Sequence, residues 1–207
     1  MRSSAAQLFL LLGFLGCSGS PLPDSTSPAA PGESGEASSL LVAPGFGTLL
    51  QDAVSMRLES GALQIKVTPL EEWVIRLTAP DTYARLSGLA RTHGERAARN
   101  AVTDDPSLFL VSLFSYQPDV TYEPEELLLV NRGLRFRPLG IAPITPWGTQ
   151  RLAQQETRMA IYAFDGNVDL ATDLVVEYQT LRNDSWRGRI LPLLDAERAK
   201  ARARGGR

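Results

Sequence analysis

Cysteine and histidine are almost missing from this chain of 207 residues, which holds one of each. The lone cysteine, Cys17, excludes a disulfide framework and every cysteine-rich zinc site. The lone histidine, His93, excludes paired-histidine metal motifs and leaves one candidate histidine base. No apolar run reaches the roughly 18–20 residues that span a bilayer. Charge of either sign is not in large excess either. Lys and Arg number 21 against 23 Asp and Glu, a net charge of -2. No strong field therefore draws nucleic acid to the whole molecule, and none is expected as a partner. There is no Gly-x-Ser-x-Gly, so no nucleophile elbow. No cofactor motif is present, and no bound metal or cofactor is expected. What remains is an ordinary globular composition, 43% hydrophobic and 21% charged, of a size that suits one domain.

The first 16 residues read as a secretory signal peptide. Arg2 and the free amine give a positive start, Ala5 to Gly16 is a short hydrophobic run, and Gly16 is small. Cys17 follows directly. Phe14-Leu15-Gly16-Cys17 resembles the bacterial lipobox. That resemblance implies cleavage before Cys17 and a lipidated, palmitate-bearing cysteine. It also implies that Ser18, the residue after the cysteine, directs the protein to the outer membrane. A plain signal peptide with a leftover thiol is the competing reading. Two or more acyl chains anchor stably, each buried methylene adding about 0.8 kcal/mol.

Residues 17–39 are then the lipidated cysteine and a tether. Ser, Gly and Pro supply 14 of the 22 residues from Ser18 to Ser39. Such a segment cannot bury enough apolar surface to offset its ordering entropy. As a flexible coil it would reach about 25 Å.

From residue 40 to 184 the texture is mainly β. Leu40 to Leu50 is an entry strand or a packed loop. Leu63, Ile65 and Val67 alternate with polar residues, and Met56 to Val67 reads as a hairpin turning at Ser60-Gly61. Trp73, Ile75 and Leu77 suggest a further strand. Asp81 to Asn100 is the clearest helix, with Asp81 as its cap; Gly88 and Gly94 weaken its continuity. Leu108 to Tyr116 is almost wholly apolar, as in a strand buried on both faces. Leu127 to Asn131, the Arg132-Gly133 turn and Leu134 to Phe136 form another hairpin. Pro138, Pro143 and Pro146 interrupt pairing across a long connection. Thr157 to Phe164 and Leu174 to Tyr178 are the last strands, around a Gly166-Asn167 turn. Residues 185–207 read as a C-terminal helix capped by Ser185, with a basic tail. Pro192 either kinks that helix, or Trp186 to Leu191 is a strand and the helix starts at the proline. Short strands separated by turn signals argue a β-sandwich.

Leu129-Val130-Asn131, Gly133 to Pro138, Gln155-Glu156, Ile161 to Phe164 and Val175 to Tyr178 resemble the strand ends of uncharacterised immunoglobulin-like domains of bacterial lipoproteins. The resemblance covers about a quarter of the chain. It implies an immunoglobulin-like β-sandwich, on which the one or two α-helices read above would be peripheral, and it carries over no residue as catalytic.

Four groups could carry chemistry. His93 with Arg91 and Arg96 could hold an anion or supply a base; a half-buried helix residue is the simpler reading. Glu71-Glu72, Asp104-Asp105 and Glu125-Glu126 are carboxylate doublets, but adjacent side chains point apart and do not make a glycosidase pair. Asp165, Asn167, Asp169 and Asp173 space oxygens like half a calcium loop, yet Val176 stands where the closing Glu belongs. Arg198, Lys200, Arg202, Arg204 and Arg207 make a basic tail on an otherwise acidic chain. It could touch anionic lipid; a solvated helix end is preferred, and its removal should disturb folding little. The chain is expected to be a lipid-anchored envelope protein, facing the periplasm or on the cell surface. Its expected role is to bind or scaffold another envelope protein or polymer. The alternative is a hydrolase of an envelope polymer using paired carboxylates.

Overall fold

A computed structural model describes residues 42–103 and 105–205. The signal peptide, Cys17, the tether, Asp104 and Arg207 lie outside the described residues. Among those described, eleven strands form antiparallel sheets and three α-helices accompany them. The chain is therefore mainly β.

Five strands make the larger sheet in the order β1-β2-β3-β9-β7. They are β1 (Met56–Glu59), β2 (Leu63–Pro69), β3 (Ser107–Ser115), β7 (Gly140–Pro143) and β9 (Thr157–Phe164). The smaller sheet runs β11-β10-β5-β6. It contains β5 (Leu127–Asn131), β6 (Leu134–Phe136), β10 (Leu174–Tyr178) and β11 (Leu181–Asn183). A two-stranded ribbon, β4 (Val120–Thr121) with β8 (Arg151–Leu152), completes the set.

The period of two explains the layering. Phe109, Val111 and Leu113 of β3 and Ala160, Tyr162 and Phe164 of β9 point to one side. There they share a core with Leu127, Leu129, Leu174, Val176 and Tyr178 of the smaller sheet. Leu110 of β3 and Ile161 and Ala163 of β9 point to the other side, against helix α2 (Pro80–Ala101). That double burial is why β3 carries an almost unbroken apolar run. Phe109 meets Phe164 edge-on at 5.4 Å, and Tyr122, Trp147 and Tyr162 continue the aromatic chain.

Helix α2 approaches the sheet closely because its contact points are small. A Cβ on Gly140 of β7 would lie 2.4 Å from the carbonyl oxygen of Ala97. Gly94 likewise leaves room for Leu108, so this glycine is a contact point rather than a break in the helix.

Several expectations are corrected. Residues 73–77 are not a strand: Glu72–Ile75 is a short helix, α1. Its Glu72 binds Arg76 at 2.5 Å, one turn on, and accepts a bond from Tyr83 at 2.8 Å. These local pairs outweigh the accidental alternation of Trp73, Ile75 and Leu77. Pro80 occupies the first turn of α2, and Ala79 is its N-cap with no side-chain bond, so Asp81 does not cap it. The connection after Phe136 is not free of pairing, since β7 lies along β9. Pro143 ends that strand at the sheet edge, where a missing N–H is tolerated. The Arg132-Gly133 turn is as expected, both residues having the positive φ of a tight hairpin, 51° and 76°.

The C-terminal segment is one helical run. Trp186–Ile190 is π-helical, with the Leu191 amide bonded to the Trp186 carbonyl, and α3 (Leu191–Gly205) follows. Pro192 thus neither begins the helix nor ends a strand; the widened turn before it absorbs its missing donor. Ser185 makes no side-chain cap bond. Trp186, Ile190 and Leu194 are fully buried in the core shared by the two sheets.

Candidate functional site

Two of the concave surfaces lined by charged groups bear on function. The first is a polar cleft of about 250 Å³ lined by Glu71, Trp73, Asp105, Ser107, Gly166 and Asp169. It unites one member each of two sequence doublets. Glu71 precedes α1, Asp105 precedes β3, and Leu70 bonds backbone to Leu108 at 2.9 Å, which draws the two segments together. Burial pushes the Glu71 carboxyl above its ordinary pKa, and the Asp105 charge adds to the rise. A carboxyl shifted in this direction keeps its proton to higher pH than an ordinary carboxylate. The third carboxylate is not free. Asp169 pairs with Arg132 and accepts the Ala171 amide at 2.8 Å.

The oxygen-rich loop from Asp165 to Asp173 is tied up in the same manner. Asp165 accepts the Asn167 amide at 2.9 Å and its side-chain nitrogen at 2.6 Å. Asn131 acts as the hub of this corner. Its amide nitrogen donates to the carbonyls of Asp169 and Asp173 and to the Thr172 hydroxyl, and its oxygen accepts the Asp169 amide. Among the described residues no group of three or more His, Cys, Asp or Glu is placed to hold a metal ion.

The second concavity measures about 360 Å³ and is lined by Asp52, Ser55, Arg57, Lys66 and Arg189. Arg57 of β1 and Lys66 of β2 are register partners, so they stand side by side on the open face of the sheet. Asp52 pairs with Lys66 at 2.5 Å and with Arg57 at 3.4 Å. The bond from Lys66 holds the Asp52 carboxyl below its ordinary pKa; partial burial opposes this, and the Lys66 and Arg57 charges reinforce it. Behind them, the buried hydroxyls of Ser55 and Thr68 lie 2.7 Å apart, and Gln51 donates to Thr68 at 3.0 Å.

His93 is half-buried on α2 and has no carboxylate or nucleophile bonded to it among the described residues. Glu125 and Glu126 sit on a 3-10 turn before β5. Two cations of the basic tail, Arg198 and Arg204, are engaged with the protein. Arg198 stacks on Trp73 at 5.0 Å and binds Asp195 at 2.9 Å. Arg204 binds Glu197 and the Phe46 carbonyl. Sequence reading missed Glu197 and Arg189, because neither stands in a motif and their partners Thr48 and Ser55 lie far away in the chain. Among the described residues no helix is long and apolar enough to cross a membrane.

Compared with family models, with curated proteins and with solved structures, the chain matches none.

Proposed function

We propose that the chain is a lipid-anchored protein of the bacterial envelope whose folded body binds another envelope component without catalysis. The anchor rests on Cys17 behind its lipobox-like residues. That motif also supports an outer-membrane location, facing the periplasm or on the surface. An immunoglobulin-like arrangement belongs to the same reading. Two antiparallel sheets facing across one core support it, with α2 as an added outer layer.

The observation that carries the binding role is the open edge at β6. Both edges of the larger sheet are closed by side chains. Asn100 donates to the Ile141 carbonyl at 2.8 Å and Arg96 to that of Pro143, which closes β7. Asn183 donates to the Arg57 carbonyl at 2.8 Å and Arg189 to that of Ser55 at 3.2 Å, which closes β1. Among the described residues no side chain closes β6. Its two-residue turn makes Asn131 and Leu134 the bonded pair, so the backbone of Arg135 faces outward. Leu134 is 63% exposed. An added strand would bring apolar residues to Leu134 and Phe136 and acidic ones to Arg135 and Arg137. The partner is therefore an extended acidic segment with alternating apolar residues.

Co-purification from detergent-solubilised membranes tests this. The native chain should retain a partner that Arg135→Pro loses, since proline removes the outward N–H. Retention of the same partner by a folded Arg135→Pro variant overturns the β6 reading. Cys17→Ser should move the protein from the membrane to the soluble fraction, and a serine variant that stays on membranes overturns the anchor.

A second reading, hydrolysis of an envelope polymer, is favoured by Glu71 alone. Glu71→Gln should then abolish dye release from labelled cell-wall sacculi. No release by the native chain removes that reading.

A further inference from the structure

We propose that the cavity between β1, β2 and the π-helical turn is a binding site for a phosphate group. Its cations arrive from three separate elements. Arg57 comes from β1, Lys66 from β2 and Arg189 from the segment Trp186–Ile190. Arg85 of α2 adds a fourth charge nearby, donating to Gln51, the neighbour of Asp52 in the chain. Against them stand Asp52 in the lining and Glu59, which Arg57 meets at 3.6 Å. The concavity is thus net positive on a molecule of net charge -2.

Three features distinguish it from an ordinary charged sheet face. The Lys66 side chain is only 22% exposed, so its charge is held in a partly dry setting where an anion is attracted more strongly. The wall is stiff, because Ser55 and Thr68 are buried and bonded to each other, and Arg189 is fixed on the Ser55 carbonyl. The π-helical turn presents Arg189 outward while Trp186 and Ile190 stay in the core. Pro192 accounts for a widened turn at that point but not for an arginine on it. Such turns are uncommon and are frequent at functional sites.

Asp52 occupies the place an anion would take. Its side chain is 59% exposed on a 3-10 turn, and it bonds both Lys66 and Arg57. It acts as a stand-in carboxylate that a more highly charged phosphate displaces. Arginine forks suit phosphate oxygens in pairs. The volume of about 360 Å³ exceeds one inorganic phosphate and leaves space for the group that carries it. This site does not depend on lipidation or on the β6 edge.

Calorimetric titration of the full chain in detergent tests the proposal, with inorganic phosphate and glycerol phosphate as probes at matched ionic strength. Saturable binding is expected. Tighter binding of glycerol phosphate assigns the site to a headgroup-type ligand; equal binding assigns it to the free ion. Lys66→Met and Arg189→Gln should each weaken binding about tenfold, the scale of one lost charged hydrogen bond. Asp52→Asn should strengthen it several-fold by removing the competitor. Absence of saturable binding by either probe overturns the proposal. So does an Asp52→Asn chain that binds more weakly than the native one, whatever the cation variants do.

Discussion

Glu197 of α3 accepts hydrogen bonds from both the amide and the hydroxyl of Thr48, at 3.0 and 2.9 Å, across 149 residues of sequence. Its side chain is only 5% exposed, and Arg204 supplies its countercharge. The bond clasps the first described loop to the last helix. Glu197→Ala leaves a Thr48 amide and an Arg204 guanidinium without their acceptor. Losing this buried acceptor costs about 2 kcal/mol, or roughly 4–8 °C of melting temperature at this chain size. Calorimetry or circular dichroism melts measure it, and a loss under 2 °C contradicts the assignment.

The same clasp alters the expectation for the C-terminal tail. Read as a solvated helix end, residues 200–207 should cost only a small loss of helix stability when removed. The structure instead gives Arg204 the buried Glu197 carboxylate and the Phe46 carbonyl, and Ala201 is buried. Truncation before Lys200 should therefore destabilise the fold by about 2 kcal/mol, since the buried Glu197 carboxylate loses its countercharge. A double-mutant cycle isolates the cause. Arg204→Gln should cost little once Glu197→Gln is present. Equal costs in both backgrounds would locate the effect elsewhere in the tail.

Much of the β framework was legible because its strands obey a period of two. Leu63, Ile65 and Val67 are buried as that period requires, and the run from Phe109 to Val111 is buried on both faces as its unbroken apolar character predicts. The errors have two physical origins, long-range pairing that leaves no local trace and local side-chain pairs that outweigh an accidental alternation. Gly140 to Pro143 carries two strand-breaking residues, yet β9 and α2 hold it as an edge strand. Residues 73–77 alternate as a strand does, but Glu72 recruits Arg76 and Tyr83 and closes a helical turn. The candidate sites were less legible still. The doublets Glu71-Glu72 and Asp104-Asp105 were visible, but the meeting of Glu71 with Asp105 depends on two chain segments joining beside β3. Arg189 faces Lys66 only because the sheet, the π-helical turn and the core packing of Trp186 coincide.

Gly140 and Gly88 form a matched pair for testing how tightly α2 sits on the sheet. A Cβ at Gly140 meets backbone atoms of Ala97 and Ala101 at 2.4 and 2.5 Å. Backbone cannot swing aside as a side chain can, so Gly140→Ala should separate helix from sheet and cost about 2 kcal/mol or more. Gly88 lies in the same helix with nothing within 4 Å of the added carbon. Gly88→Ala should stabilise by about 0.5–1 kcal/mol through helix propensity. Melting curves of the two variants should move in opposite directions, and a shared direction would refute the close contact.

The last prediction concerns pH and the Glu71 cleft. Burial first, and the Asp105 charge second, raise the Glu71 pKa above its ordinary value of 4.5. The folded state therefore binds that proton more tightly than the unfolded chain does. The resulting stability is complete below the ordinary pKa and is lost as pH rises through the raised one. At neutral pH an ionised Glu71 is a burden on the fold. Glu71→Gln removes the charge at little change of shape, so it should melt higher than the native chain at pH 7. The advantage should shrink on acidification and vanish below about pH 4.5. Other carboxylates act in the opposite sense. Asp52 and Glu156 are held below their ordinary values, by Lys66 and by the Ala153 amide with Arg158, and lose stabilising charge as pH falls. The comparison must therefore be the difference between Glu71→Gln and native melting temperatures, in which those groups cancel. Asp105→Asn supplies the second arm: with its charge gone, Glu71 should titrate lower and the gain from Glu71→Gln at pH 7 should be smaller. Equal melting of Glu71→Gln and the native chain at pH 7 would show that the cleft carries no raised acid, and would remove the observation that favours hydrolysis.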